Sequence, residues 1–215
     1  MRIGVIGKGN VGSALGPRWS RLGHQVSFGV RDPEDPAAQV VVGQCEGQAD
    51  LLTVPEVFEV CDPVLLAVRW EDVPAVLTQA RDLRGKTLID CTTPLEPGTK
   101  EPLLDWTLSG AERIAKWAEG AIVIKCFDTT GARVMLDPRF GDTAATMFLC
   151  GDEPEAKKMV WSLAEQLGFE CEDAGSLQAA RYLEALSAFW VHLSFGQGFG
   201  SEFAFKLLRR KGDGV

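Results

Sequence analysis

The sequence predicts an α/β protein, a doubly wound parallel sheet with a small C-terminal α/β extension. Three observations carry this expectation. An apolar strand over residues 2–6 runs straight into the glycine turn Gly7-Lys8-Gly9-Asn10-Val11-Gly12 and then a helix. Apolar runs without alternation, such as Val64-Leu65-Leu66-Ala67-Val68, recur between helical stretches and suit parallel strands covered on both faces. The 215 residues, 46% apolar and 24% charged, suffice for one substantial core.

Residues 1–33 read as a βαβ unit that binds a dinucleotide. Gly7 allows the tight turn out of the strand, Gly9 lets a pyrophosphate approach the backbone, and Gly12 lets the helix lie close on the sheet. The amides of Asn10, Val11 and Gly12 then face the phosphates at a helix N-terminus. Pro17 falls inside this helix, where it removes a backbone hydrogen bond and should kink it. The second strand, residues 25–28, stops at Gly29-Val30-Arg31-Asp32-Pro33. No acid stands where an NAD site would hold the ribose, so the reading is NADP(H), with Arg31 on the 2′-phosphate and Lys8 a candidate second cation. A register one or two residues later would instead make Asp32 the ribose acid.

Residues 34–52 are broken by Pro33 and Pro36, and residues 37–42 read equally as a short helix or strand. A helix near 55–60 and a strand at 63–68 follow. In an open α/β sheet the carboxyl ends of strands line the ligand crevice, which makes Val68 and Arg69 candidate walls of the cofactor site. A helix over 72–83 leads to a strand at 86–91 that delivers Thr92, Thr93 and Pro94 to the same edge. The threonines can hydrogen bond there without adding charge beside the nicotinamide.

Residues 97–110 read as a loop with short helical pieces, exposed enough to cover the site. A helix at 111–117 and a strand at 121–126 then present Phe127-Asp128-Thr129-Thr130-Gly131-Ala132-Arg133, the fourth strand end aimed at the crevice. The remainder reads as a strand at 145–150, a helix at 153–167, a strand at 169–173 and a long helix from Leu177. On that helix Arg181 and Glu184 have the spacing of a structural ion pair, His192 reads as a packed residue, and residues 183–199 as a buried helix.

Composition excludes several classes. A net charge of −8 argues against nucleic acid or an anionic membrane surface as partner. No apolar run reaches the length of a membrane span. Met1 leads directly into a strand, so no signal peptide is expected, and the six cysteines fall singly, without CxxC or histidines at ligand spacing. Free thiols in a reduced cytoplasm account for them better than disulfides or a metal site.

The stretches GKGNVG, FGVRDP, LIDCTTPL, KCFDTTGARV and CGDEPEAKKMVWSLAEQLGFECEDAGSLQAARYLEAL, in this order and spacing, resemble the NADPH-dependent reductases of the deazaflavin coenzyme F-420. The chain is also similar to the cytoplasmic oxidoreductase domain of six-transmembrane metalloreductases. The resemblance implies a Rossmann domain over residues 1–143 and a small α/β part over 144–215, whose long helix lines the cleft, often paired as a homodimer. By position, Lys8, Gly9, Asn10, Val11, Val30 and Arg31 match the NADP contacts. Phe127, Asp128, Thr129, Gly131 and Ala132 match the loop against the acceptor ring. Val30 stands where the family usually has Ser, Asp128 where it has Asn, and Phe127 where the deazaflavin reductases place His.

The expected chemistry is hydride transfer between NADPH and a small-molecule electron acceptor, a deazaflavin or flavin-like ring. It needs no catalytic triad or metal, and no single catalytic residue is assigned. Two alternatives share the first unit. A 3-hydroxyacid dehydrogenase or imine reductase usually adds a large helical domain, for which the residues after Leu177 are too few. A non-catalytic NADPH-binding module would bind the cofactor without turnover.

Overall fold

The computed structural model describes residues 1–210. Its first half alternates strand and helix. Strand β1 (Arg2–Ile6) leads to α1 (Asn10–Arg21), β2 (Gln25–Val30), α2 (Pro36–Gly43), β3 (Ala49–Thr53), α3 (Val54–Val60) and β4 (Val64–Leu66). Local signals start the helices: Asp35 accepts from the Ala37 amide ahead of α2, and Thr53 and Glu56 form a capping box on α3. The ambiguous 37–42 segment is therefore helix. Strand β3 was not legible, because all five of its residues are half-buried at a sheet edge and show no alternation.

The second half contains α4 (Val73–Leu77), β5 (Thr87–Asp90), α5 (Gly110–Trp117), β6 (Ile122–Cys126) and α6 (Ala132–Leu136). A two-stranded ribbon, β7 (Arg139–Phe140) with β8 (Thr143–Ala144), precedes β9 (Thr146–Gly151), α7 (Pro154–Gln166), β10 (Glu170–Asp173) and α8 (Ala180–Val191). The helix expected over 72–83 shrinks to α4. Thr78 Oγ1 and Gln79 Nε2 both donate to the Ala75 carbonyl, and Arg84 folds back on Asp82, so side chains end the helix early.

The main sheet runs β10-β9-β6-β5-β4-β1-β2-β3. Every neighbouring pair is parallel except β6 with β9, so β9 and β10 extend the same sheet in the opposite sense. The order of the first six strands reverses between β1 and β4, the switch point at which such sheets open a crevice. Both faces are covered: Val64, Leu65 and Leu66 of β4 are fully buried. Helix α1 continues unbroken through Pro17, whose missing N–H withdraws one bond from Ser13.

The C-terminal expectations need correction. Arg181 and Glu184 do not pair with each other: Arg181 forks onto Glu112, and Glu184 accepts from the Gly110 and Ala111 amides at the start of α5. Nor is the 183–199 segment a buried helix. Helix α8 ends at Val191 in a π turn, His192–Gly196, with His192, Phe195 and Phe199 on the surface. Only one face of α8, including Leu183, Ser187 and Trp190, is covered. Among the described residues no helix is long and apolar enough to cross a membrane, and no His/Cys/Asp/Glu group could hold a metal ion. All six cysteines are free, and burial pushes every thiol up, so none is a ready nucleophile at neutral pH.

Candidate functional site

The glycine turn is fixed by backbone packing. Gly7 has φ +108°, and a Cβ there would lie 2.2 Å from the Ala67 carbonyl oxygen at the end of β4. A Cβ on Gly12 would lie 2.1 Å from the Gly7 carbonyl oxygen, so this glycine chiefly seats α1 on its own turn, with Val5 of the sheet next at 3.2 Å. A Cβ on Gly9 would meet nothing within 4 Å. Space is therefore open beside Gly9. Unlike α2 and α5, α1 has no side-chain cap, and unlike α5 it has no acid in its first turn, which leaves its leading amides turned toward that space. This donor set fits a pyrophosphate.

The cations flanking the turn are paired with acids. Lys8 Nζ lies 2.9 Å from Asp35 Oδ2, and Arg31, with a side chain 90% exposed, lies 3.7 Å from Asp72. Val30 is buried at the end of β2. Asp32 turns onto its own loop, accepting from the Glu34 amide at 2.9 Å.

Two clefts open from the α1 N-terminus. The first, about 600 Å³, joins Gly9, Asn10 and Val11 to Val68, Arg69, Thr92 and Thr93. Pro94 instead lines an adjoining groove with Trp70 and Trp117. The second cleft, about 670 Å³, shares Asn10 and Val11 and is walled by Thr130, Gly131, Ala132, Trp190 and Phe195. Trp190 packs so closely that a Cβ on Gly131 would lie 2.6 Å from its ring. Lys100, next to Thr99 of the first cleft's wall in the loop after β5, sits 3.0 Å over the Phe195 ring of the second cleft.

Phe127, Asp128 and Thr129 lie beneath these walls. Phe127 adopts φ +67°, uncommon for a residue with a side chain, and its ring packs edge-on against Trp19 and Phe169. Asp128 belongs to a buried charged group that sequence reasoning missed. Lys125 Nζ donates to Asp90 Oδ2 at 2.9 Å and to the Thr92 carbonyl at 2.5 Å, with Glu184 Oε1 at 3.5 Å and Asp128 Oδ2 at 3.8 Å. Burial works against the Lys125 charge, but the three carboxyls outweigh it and hold the ammonium charged. A signal was present: Lys125 and Asp90 are charges inside apolar strands, and the register pairs them.

The family model described as NADP oxidoreductase, coenzyme F420-dependent, matches residues 2–94. The metalloreductase STEAP3 of Rattus norvegicus is 30% identical over 86% of this chain, although the chain spans only 36% of that protein's length. The F420-dependent NADP reductase of Methanocaldococcus jannaschii is 24% identical over 90% of this chain and 92% of its own. The crystal structure of a provisionally assigned F420-dependent NADP reductase from Arthrobacter sp. FB24 superposes with a TM-score of 0.85 at 30% identity, covering 96% of this chain and 99% of that one. The chain belongs to the family of coenzyme F420-dependent NADP oxidoreductases.

Proposed function

We propose that the protein transfers a hydride between NADPH and a flat deazaflavin or flavin-like acceptor. The observation that carries this reading is that two clefts meet at Asn10 and Val11, one reached from the glycine turn and the other walled by aromatic side chains. NADPH lies along Gly7, Lys8, Gly9, Asn10, Val11 and Gly12, with Arg31 on the 2′-phosphate and Val30 beneath it. Its nicotinamide end reaches Val68, Arg69, Thr92 and Thr93, with Pro94 supporting that wall from behind. Gly131 and Ala132 border the acceptor, and Phe127, Asp128 and Thr129 hold their loop from below.

When bound, the nicotinamide supplies the hydride and the second ring receives it. The chain's own residues bind, orient and exclude water. The α1 amides fix the pyrophosphate, the threonine hydroxyls offer neutral hydrogen bonds, and Trp190 and Phe195 present apolar area to a ring. We assign residues 1–143 to cofactor binding and 144–210 to completing the cleft; the end of the expected second part, 211–215, lies outside the described residues. A homodimer fits the exposed Tyr182 and Phe189 on α8, and free thiols fit a reducing cytoplasm.

The test is NADPH oxidation with coenzyme F-420, with FAD or FMN, and without acceptor, NADH serving as comparison donor. Turnover confined to NADPH with F-420 supports the deazaflavin reading. Turnover with FAD or FMN moves the protein toward the metalloreductases, a second reading favoured by the likeness to STEAP3. NADPH binding with no turnover in any tube would sink hydride transfer in favour of a binding module.

A further inference from the structure

The group around Lys125 contains one cation and three carboxyls, all with side chains at most 3% exposed. An ammonium has three N–H donors. Two are committed to Asp90 and the Thr92 carbonyl. Glu184 and Asp128 compete for the third, but Glu184 already accepts from the Gly110 and Ala111 amides at 2.9 and 3.0 Å. Asp128 accepts from nothing: both its carboxyl oxygens are buried without a hydrogen-bond partner. A buried carboxylate with no donor is costly, and a neutral carboxylic acid there costs far less, since it leaves one unpaired O–H in place of an unpaired charge. One proton relieves the excess negative charge, and Asp128 is the carboxyl with the least to lose by taking it.

Its position couples it to both clefts. The Asp128 carbonyl accepts from Ser187 Oγ at 2.7 Å, and Ser187 Oγ meets Thr93 Oγ1, on the wall of the first cleft, at 2.7 Å. Two residues on, Thr130, Gly131 and Ala132 form the wall of the second cleft, against Trp190. We infer that Asp128 is a positioning residue that holds this wall only while its carboxyl is protonated, and that ionisation displaces residues 128–132 and the Trp190 ring packed on them.

The surroundings agree. Around Asp128 are Lys125 and Cys126 of β6, Asp90 of β5 with Cys91 just after it, Glu184 of α8 and Cys150 of β9. The thiols are neutral. Burial pushes the Asp128 carboxyl up to about 7 against the pull of Lys125, and Asp90 and Glu184 push the same way as burial. Its ionisation therefore falls within a physiological range. That the displaced wall serves an electron acceptor rests on the function proposed above; the displacement itself does not.

The experiment needs no acceptor. Infrared difference spectra and carboxyl-carbon NMR of aspartate-labelled protein should show one protonated carboxyl at about pH 6 that is lost by about pH 9 and is absent from Asp128→Asn. In fluorotryptophan-labelled protein the Trp190 resonance, identified with Trp190→Phe, should shift with the same midpoint and stay fixed across that range in Asp128→Asn. A carboxyl already ionised at about pH 6, or a Trp190 resonance that ignores pH or titrates equally in Asp128→Asn, overturns the inference. The wild-type measurement stands alone if the variant folds poorly.

Discussion

Asp90 and Lys125 occupy paired positions near the ends of neighbouring strands, and the Lys125 ammonium bonds both the Asp90 carboxylate and the carbonyl of Thr92, two residues beyond it. One side chain of β6 thus anchors the threonine loop of β5. Lys125→Met would leave Asp90, Asp128 and Glu184 without their cation. Removing one partner of a buried ion group costs about 3–5 kcal/mol, and urea unfolding of the variant should show a loss of that order. Adding Asp90→Asn should recover part of it; a strictly additive double variant would mean that the two side chains are not coupled.

Arg31→Ala should raise the NADPH dissociation constant about tenfold or more, because a charge-assisted bond to phosphate is lost, and leave NADH within about twofold. Equal losses for both cofactors would remove Arg31 from the 2′-phosphate. Its exposed, weakly paired guanidinium is free to make that contact.

Asp35 both caps α2 and holds Lys8. Asn keeps the cap and drops the charge, so Asp35→Asn should release Lys8 toward the phosphates. Surface ion pairs are weak, and the expected gain in NADPH affinity is about two- to fivefold, shrinking in high salt. Weaker binding at every salt concentration would show that Lys8 depends on Asp35 for its orientation.

The difference between what was legible and what was not follows from range. The glycine turn and the NADP(H) reading rest on residues within one βαβ unit, and each later strand end rests on its own local apolar run. The Lys125 group joins β5, β6, the loop after β6 and α8, with Glu184 arriving from more than fifty positions away, which no local pattern encodes. Its spacing to Arg181 suggested an ion pair within α8, but tertiary packing gave each residue a better partner at α5. His192 looked packed because its neighbours are apolar; the helix turns it outward at its end.

That α5 contact gives a pH dependence. The Arg181 guanidinium, with the capping bonds from Ser109, holds the Glu112 carboxyl down at about 2 against the effect of burial. The folded value lies below the ordinary glutamate value, so the contribution to stability is complete above about pH 4.5 and is lost as pH falls toward about 2. Glu112→Gln should therefore lower the melting temperature at pH ~7 and converge on wild type at pH ~2. A constant difference across that window would mean that the charge of Glu112 contributes nothing.

Gly131 has an ordinary backbone, φ −82° and ψ 158°, so Ala can adopt it without strain. The obstacle is Trp190, whose ring atoms would lie 2.6 and 2.7 Å from the new methyl. Trp190 cannot yield freely, since its Nε1 donates to the Phe203 carbonyl at 3.1 Å and its ring stacks on Phe203. Gly131→Ala should therefore shift the ring into the second cleft, at an overpacking cost of about 1–3 kcal/mol. Acceptor KM should rise about five- to tenfold while the NADPH dissociation constant stays within about twofold, because the first cleft does not contain Gly131. The reverse pattern, NADPH weakened and acceptor unchanged, would exchange the two clefts and place the cofactor against Trp190.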